Sequence, residues 1–246
     1  MPQKYTTERL VEETKSSKKI FLYKKSFFLS LIWRIENANI NYQMQSSAIF
    51  PLFYLPPISY FSGLKDFDGH FLIEKEEHFP KQTYRNRARI YSPNGSLDLI
   101  VPVIRGNKVH TKVKDVKISN EFNWQRLHWK SFESCYRNSA YFEFYEDEFA
   151  HFYHNKFEFL FDFNLELLEW ILKQLKREVK LEFTSEYFDD IAPDLDYRAK
   201  IHFKKVNDNT IYKPYFQVFD DREGFKPNLS IVDLLFNQGP QSKSYI

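Results

Sequence analysis

The chain holds a single cysteine, Cys135, in 246 residues. A disulfide framework and a cysteine-based metal site are excluded, and a reducing compartment is the expectation. Cys135 sits beside Phe132 and Tyr136 at helical spacing, the setting of a packed thiol rather than a nucleophile. An excess of one charge is missing too. With 35 basic and 33 acidic residues the net charge is +2, so no global field draws nucleic acid, and no nucleic-acid partner is expected. No apolar run approaches the ~20 residues that cross a bilayer, so no membrane span is expected. Lys18 to Trp33 has the outline of a signal peptide, but Lys24 and Lys25 interrupt it. Arg34 and Glu36 also stand where small cleavage-site residues belong. Secretion is rejected, and cytoplasmic location is the expectation. Walker A, GxGxxG, GxSxG and kinase signatures are absent. His151 and His154 lie three apart without an HExxH context. No metal and no cofactor is expected.

Aromatic side chains are plentiful: 26 Phe and 16 Tyr, with an aromatic fraction of 19%. Such a load accompanies AT-rich coding, or else an aromatic-lined cleft for planar or sugar-like ligands.

Residues 1–43 differ from the rest, polar first and then briefly apolar up to Trp33, and are expected to be a poorly ordered N-terminal extension begun upstream of Met44. From residue 44 to 246 the pattern is that of one domain. Ile49-Phe50 predicts a strand, Pro51 to Pro57 a stiff loop, Ile58 to Leu64 a helix and Phe71 to Ile73 a second strand. Ala88 to Ile104 predicts a hairpin turning at Asn94-Gly95, with Pro102 making its second strand an edge or ending it there. Val113, Val116 and Ile118 predict a further short strand. Asn123 caps a predicted helix reaching about Asn138, and stripes over Phe142–Tyr153 and Phe157–Leu175 predict two more. Val179 to Phe183 reads as a short strand, Glu186 to Asp196 as an acidic loop. Ser230 or Asn228 caps a last helix that stops at Gly239-Pro240.

Chemistry concentrates between His78 and Arg87. Lys81, Arg85 and Arg87 lie within seven positions, with Gln82 and Asn86 supplying amide donors. Guanidinium forks bind phosphate or carboxylate bidentately, and lysine adds a point charge. The bland alternative is a solvated edge whose arginines pair with Glu74, Glu76 and Glu77. His78 and His128 are the candidate general bases, since imidazole titrates near neutrality.

Four separated blocks carry a family resemblance: Tyr54-Leu55-Pro56-Pro57 with Tyr60-Phe61, His78 to Arg87, Asn123 to Trp129, and Gln217-Val218-Phe219 with Phe225 to Asn237. Together they resemble the WbqC-like protein family, in the form met in Bacteroidetes-type bacteria. Many relatives open the first loop with His-Gln-Pro. Phe50-Pro51 stands at that point here, so a role for that pair does not carry over. The resemblance implies surface-polysaccharide (O-antigen, lipopolysaccharide) biosynthesis in a bacterium. It further implies a transferase that modifies a nucleotide-activated amino sugar, with aminoacyl transfer as one form of the reaction. The alternative is a non-catalytic nucleotide-sugar or glycan-binding protein of a biosynthetic assembly.

The expected fold is α/β, with a partly parallel Rossmann-like (nucleotidyltransferase-like) sheet, an added β-hairpin and a helical middle section. The expected partner is a nucleotide-linked sugar or related anionic small molecule. Lys81, Arg85 and Arg87 would neutralise its diphosphate, Tyr54 and Tyr84 would stack on base or sugar, and Asn86 would orient it. His78 or His128 would serve as base.

Overall fold

In the computed structural model, residues 47–67, 70–104, 110–204 and 211–246 are described. The expected extension over 1–43 lies outside them. Ser47 to Ile246 forms one compact unit of mixed α/β type.

The parallel sheet is built by a strand–helix–strand opening. Strand β1 (Ala48–Pro51) leads through the proline loop into α1 (Ile58–Asp66) and back into β2 (Phe71–Glu74). The two strands pair parallel, Ala48 opposite Phe71 and Pro51 opposite Glu74. Both are buried along their whole length, which is why they read as unbroken apolar runs rather than alternating ones. After a hairpin and three helices the chain adds the two-residue β5 (Glu182–Phe183) to the far side of β2. It then returns to the free side of β1. There Ile49 donates to the Leu195 carbonyl and accepts from the Tyr197 N–H, at 2.8 and 2.9 Å. The chain thus runs first one way from β1 and later the other.

The hairpin joins β3 (Arg87–Ser92) to β4 (Gly95–Ile100) in antiparallel register. The turn sits one residue earlier than expected. Pro93-Asn94 form the two-residue loop, and Gly95 opens β4 at φ +94°, a conformation glycine adopts without penalty. β4 ends before Pro102, which has no N–H to give the ladder. The strand expected near Val113 is a 3₁₀ turn, Val113–Asp115, followed only by isolated bridges at Lys117 and Ile118. Gly106-Asn107, which reads as a further turn in the sequence, lies outside the described residues.

The helical section comprises α2 (Trp124–Tyr136), α3 (Phe142–His154) and α4 (Leu160–Gln174). Asn123 caps α2, its side-chain oxygen accepting from the Arg126 N–H at 3.1 Å. A four-residue helix α5 (Asp220–Glu223) precedes α6 (Ile231–Gln238), and a 3₁₀ segment (Gly239–Tyr245) closes the chain. Helix α6 is a core element: Phe236 meets Phe132 and Tyr136 of α2 and Phe142 and Phe149 of α3. Edge-to-face aromatic pairs add about 0.5–1.5 kcal/mol each beyond the area they bury. Many of the aromatics therefore form the core. Cys135 is buried within it, its thiol pushed up to about 11 by that burial.

Candidate functional site

A cleft of ≈ 640 Å³ opens at the carboxyl ends of the parallel strands. Two segments line it, Glu77 to Arg85 and Tyr187 to Lys204. The first leaves β2. It is tied down where Phe79 donates to the Thr111 carbonyl and Val113 to the Glu77 carbonyl, both at 2.9 Å. A turn follows, with Gln82 at φ +61° and the Thr83 hydroxyl donating to the Pro80 carbonyl. The second segment is the stretch that returns beside β1. The crevice outside the strand ends, where the connections diverge, is the usual ligand position in open α/β sheets.

Beneath the cleft lies a buried ion network. Arg85, 3% exposed, donates from Nε and Nη2 to the two oxygens of Glu77, each at 2.6 Å, and from Nη2 to the Arg198 carbonyl. Burial pushes the Glu77 carboxyl up, and Arg85 opposes that shift. Arg198 grips Asp196 through Nε and Nη2 and reaches Glu74 at 3.4 Å. Its guanidinium lies 4.5 Å from the Tyr187 ring centre. Glu74, fully buried, accepts from the Glu76 and Glu77 N–H groups and from the Thr184 hydroxyl. Glu76 is held by Lys112 and Lys114, both at 2.7 Å, which keeps its carboxyl below the usual range although burial works the other way.

Among the charged groups lining the cleft, Arg85 is paired with Glu77 and Arg198 with Asp196. The remainder are Lys81, Lys204, His78 and His202, for which no carboxylate partner occurs among the described residues. The His78 ring rests against His110, centroids 4.9 Å apart. Tyr187 and Phe203 supply the aromatic surface.

Of the residues expected at a site, His78, Lys81 and Arg85 line this cleft and Tyr54, Tyr84, Asn86, Arg87 and His128 do not. Arg85 is engaged by Glu77, one of the acids the bland reading named, but it is buried rather than on a solvated edge, and Arg87 has no ion-pair partner among the described residues. Tyr84 is buried behind the wall, its ring edge-on to Phe203 at 4.8 Å. Arg87 and Arg89 lie over the same Phe203 ring, 5.7 and 4.6 Å away. Asn86 pairs like backbone, its Nδ2 donating to the Val101 carbonyl and its own carbonyl accepting from the Val101 N–H.

Tyr54 and His128 belong to a separate buried chain. His128 Nδ1 and the Tyr54 hydroxyl share a hydrogen bond of 2.9 Å, and the Tyr54 and Tyr153 hydroxyls share another of 2.9 Å. Burial pushes His128 down to about 4, so the imidazole is neutral at pH 7.

The N-terminus of α1, a position at which helix N–H groups can hold phosphate, is closed by the chain itself. Ile58 N–H donates to the Leu229 carbonyl at 3.1 Å and Ser59 N–H to the Asn228 side chain at 2.9 Å. Asn228 adopts φ +55° to do so. An anion in this cleft therefore meets lysines, not a helix end.

Sequence reading missed the second wall. Glu186 to Asp196 reads as a solvated acidic loop, and Arg198, His202, Phe203 and Lys204 follow it without a motif. The available signal was Asp196 two residues before Arg198, a spacing that puts both on one face of an extended segment. Among the described residues no cluster of three His, Cys, Asp or Glu side chains is placed to hold a metal, and no helix is long and apolar enough to cross a membrane.

No solved structure matches this chain. An uncharacterized protein of Mycobacterium tuberculosis (strain ATCC 25618 / H37Rv) is 26% identical over 231 residues, covering 82% of this chain and 98% of the relative. The profile of the WbqC-like protein family matches residues 53–214, which span the β1–α1 loop, both walls of the cleft and all three middle helices. The chain belongs to the WbqC-like protein family.

Proposed function

We propose that the cleft binds a nucleotide-linked sugar or a related phosphate-bearing small molecule, and that the protein transfers a group onto that sugar in bacterial surface-polysaccharide biosynthesis. One observation carries the reading: Lys81, Lys204, His78 and His202 converge on the carboxyl ends of β1 and β2 without carboxylates to neutralise them. Two lysines suit a diphosphate, the exposed Tyr187 ring offers a planar face to a base or sugar ring, and His78 is the general base. Arg85 and Arg198 act from below, holding the two walls together. The β1–loop–α1–β2 opening is then the first unit of a Rossmann-like, nucleotidyltransferase-like sheet, and the protein works in the cytoplasm.

A second reading, a non-catalytic binding protein, has its own support: His128 lies in the core, which leaves only His78 and His202 as imidazoles at the cleft.

A thermal-shift screen with nucleotide sugars, nucleotides and aminoacyl donors tests the site. A ligand at one hundred times its dissociation constant stabilises by about 2.7 kcal/mol. The response is expected to vanish in Lys81→Ala/Lys204→Ala while the melting point of the free protein stays put. Silence from every nucleotide, or an undiminished response in that variant, overturns the placement. His78→Ala separates the two readings: turnover lost with affinity kept supports the transferase.

A further inference from the structure

A second cleft, of ≈ 630 Å³, lies where α2 begins and α3 ends, and it shares no lining residue with the first. Its cations are Arg126, Lys130 and Lys156, against one carboxylate, Glu121. Lys130 is held by Glu133 at 2.8 Å. Arg126 and Lys156 have no ion-pair partner among the described residues. The 13-residue helix α2 starts in the cleft and adds the positive end of its dipole.

Two further observations point to a ligand. Trp124 forms part of the cleft wall and is 2% exposed, and its indole N–H is a buried donor with no acceptor among the described residues. Buried donors without acceptors are rare, and each calls for an explanation. Phe122, in the same wall, leaves 54% of its surface open to water, and Trp129, Asn120 and Asn123 line the same cleft. Aromatic faces flanked by amides suit a ring with one apolar face and a polar edge.

We propose that this cleft is a second binding site, for a phosphorylated sugar. Its phosphate lies between Arg126 and Lys156 at the start of α2, and its ring rests on Phe122. A ligand oxygen accepts from the Trp124 N–H. The site stands on its own residues and does not depend on the reading of the first cleft.

The test follows indole N–H resonances of the ¹⁵N-labelled full chain, which has four tryptophans. Trp124→Phe identifies the resonance of interest. Should that variant not fold, Trp33→Phe, Trp129→Phe and Trp170→Phe identify it by elimination. Titration with glucose 1-phosphate is expected to shift the Trp124 resonance saturably. Arg126→Ala/Lys156→Ala is expected to weaken binding at least about ten-fold, and Lys81→Ala/Lys204→Ala to leave it unchanged. Inorganic phosphate is expected to bind more weakly and glucose not at all. No saturable shift with glucose 1-phosphate, or one that survives the Arg126/Lys156 substitution, overturns the site. Equal affinity for inorganic phosphate and glucose 1-phosphate overturns the sugar half of the proposal. Loss of the shift in the Lys81/Lys204 variant assigns binding to the first cleft and overturns this one.

Discussion

Arg85 and Glu77 meet fork to fork, Nε and Nη2 each 2.6 Å from a carboxylate oxygen, with the guanidinium 3% exposed. Arg85, expected alongside Lys81 and Arg87 to neutralise a diphosphate, is engaged in a buried ion pair, and it joins the two walls of the cleft through the Arg198 carbonyl.

Removing one partner of that pair strands a buried charge. Arg85→Ala is expected to cost about 3–5 kcal/mol, a fall of roughly 10 °C or more in melting temperature for a unit of this size. Arg85→Lys is expected to recover little, because an ammonium cannot reproduce the two parallel bonds. Urea denaturation of both variants checks this, and a loss below about 1 kcal/mol would mean that the pair behaves as a surface bridge.

His128 is expected to make the protein acid-sensitive. Its folded value of about 4 lies below its ordinary 6.5, so the unfolded chain takes up the proton first as the pH falls. The contribution is therefore complete above about pH 6.5 and is lost as pH falls toward 4, with about 2 kcal/mol gone by pH 5. His128→Gln should flatten that part of the curve relative to the unmodified protein. Denaturation midpoints at pH 7, 6 and 5 for both proteins measure the difference.

Asp233 shows the opposite sign. This carboxyl, fully buried on α6, accepts from Tyr136, Tyr215 and Gln217, and burial raises its pKa despite those bonds. A raised carboxyl favours folding below its unfolded value of 3.8 and loses that advantage as pH rises through the folded value. Tyr215→Phe removes a donor from the ionised form. It is expected to cost about 1–3 kcal/mol at pH 7 and clearly less at pH 4. Tyr136→Phe should cost more, because it also orphans the Tyr91 N–H that the Tyr136 oxygen accepts. Equal losses at both pH values would mean that Asp233 does not change its protonation state between them.

Gly239 ends α6 at φ +53°, and a methyl group there would run into the Tyr141 ring. Gly239→Ala is expected to destabilise by about 2 kcal/mol or more, from backbone strain and contact together. If the loss is contact alone, Tyr141→Ala in the same chain restores it. A melting series of the two single variants and the double variant separates the contributions.

Much of the fold was legible because its signals are local. The apolar runs at Ile49 and Phe71, the Asn123 cap and the stripes of α3 and α4 each depend on residues within a few positions of one another. The miss at Val113–Asp115 has the same root: Val113, Val116 and Ile118 are β-branched and suit a strand locally, but the segment forms a 3₁₀ turn and meets its neighbours only at isolated bridges. Gly95 entering β4 rather than the turn is a shift of one residue that the Asn-Gly signal does not resolve.

The site was legible in part. The sequence by itself determined where the strands end, that the segment from His78 to Arg87 leaves β2 at its carboxyl end, and that the chain belongs among WbqC-like proteins. Only the tertiary structure decided which charges are free. Glu77 takes Arg85 from eight positions away and Glu74 takes Arg198 from 124. Asn228 closes the start of α1 from 169. Lys81 and Lys204, left over on facing walls, have no ion-pair partner among the described residues, and the proposed site rests on them. Side-chain charge is a property of the residue, but its availability depends on burial and on partners brought together from distant parts of the chain, and no local pattern records those.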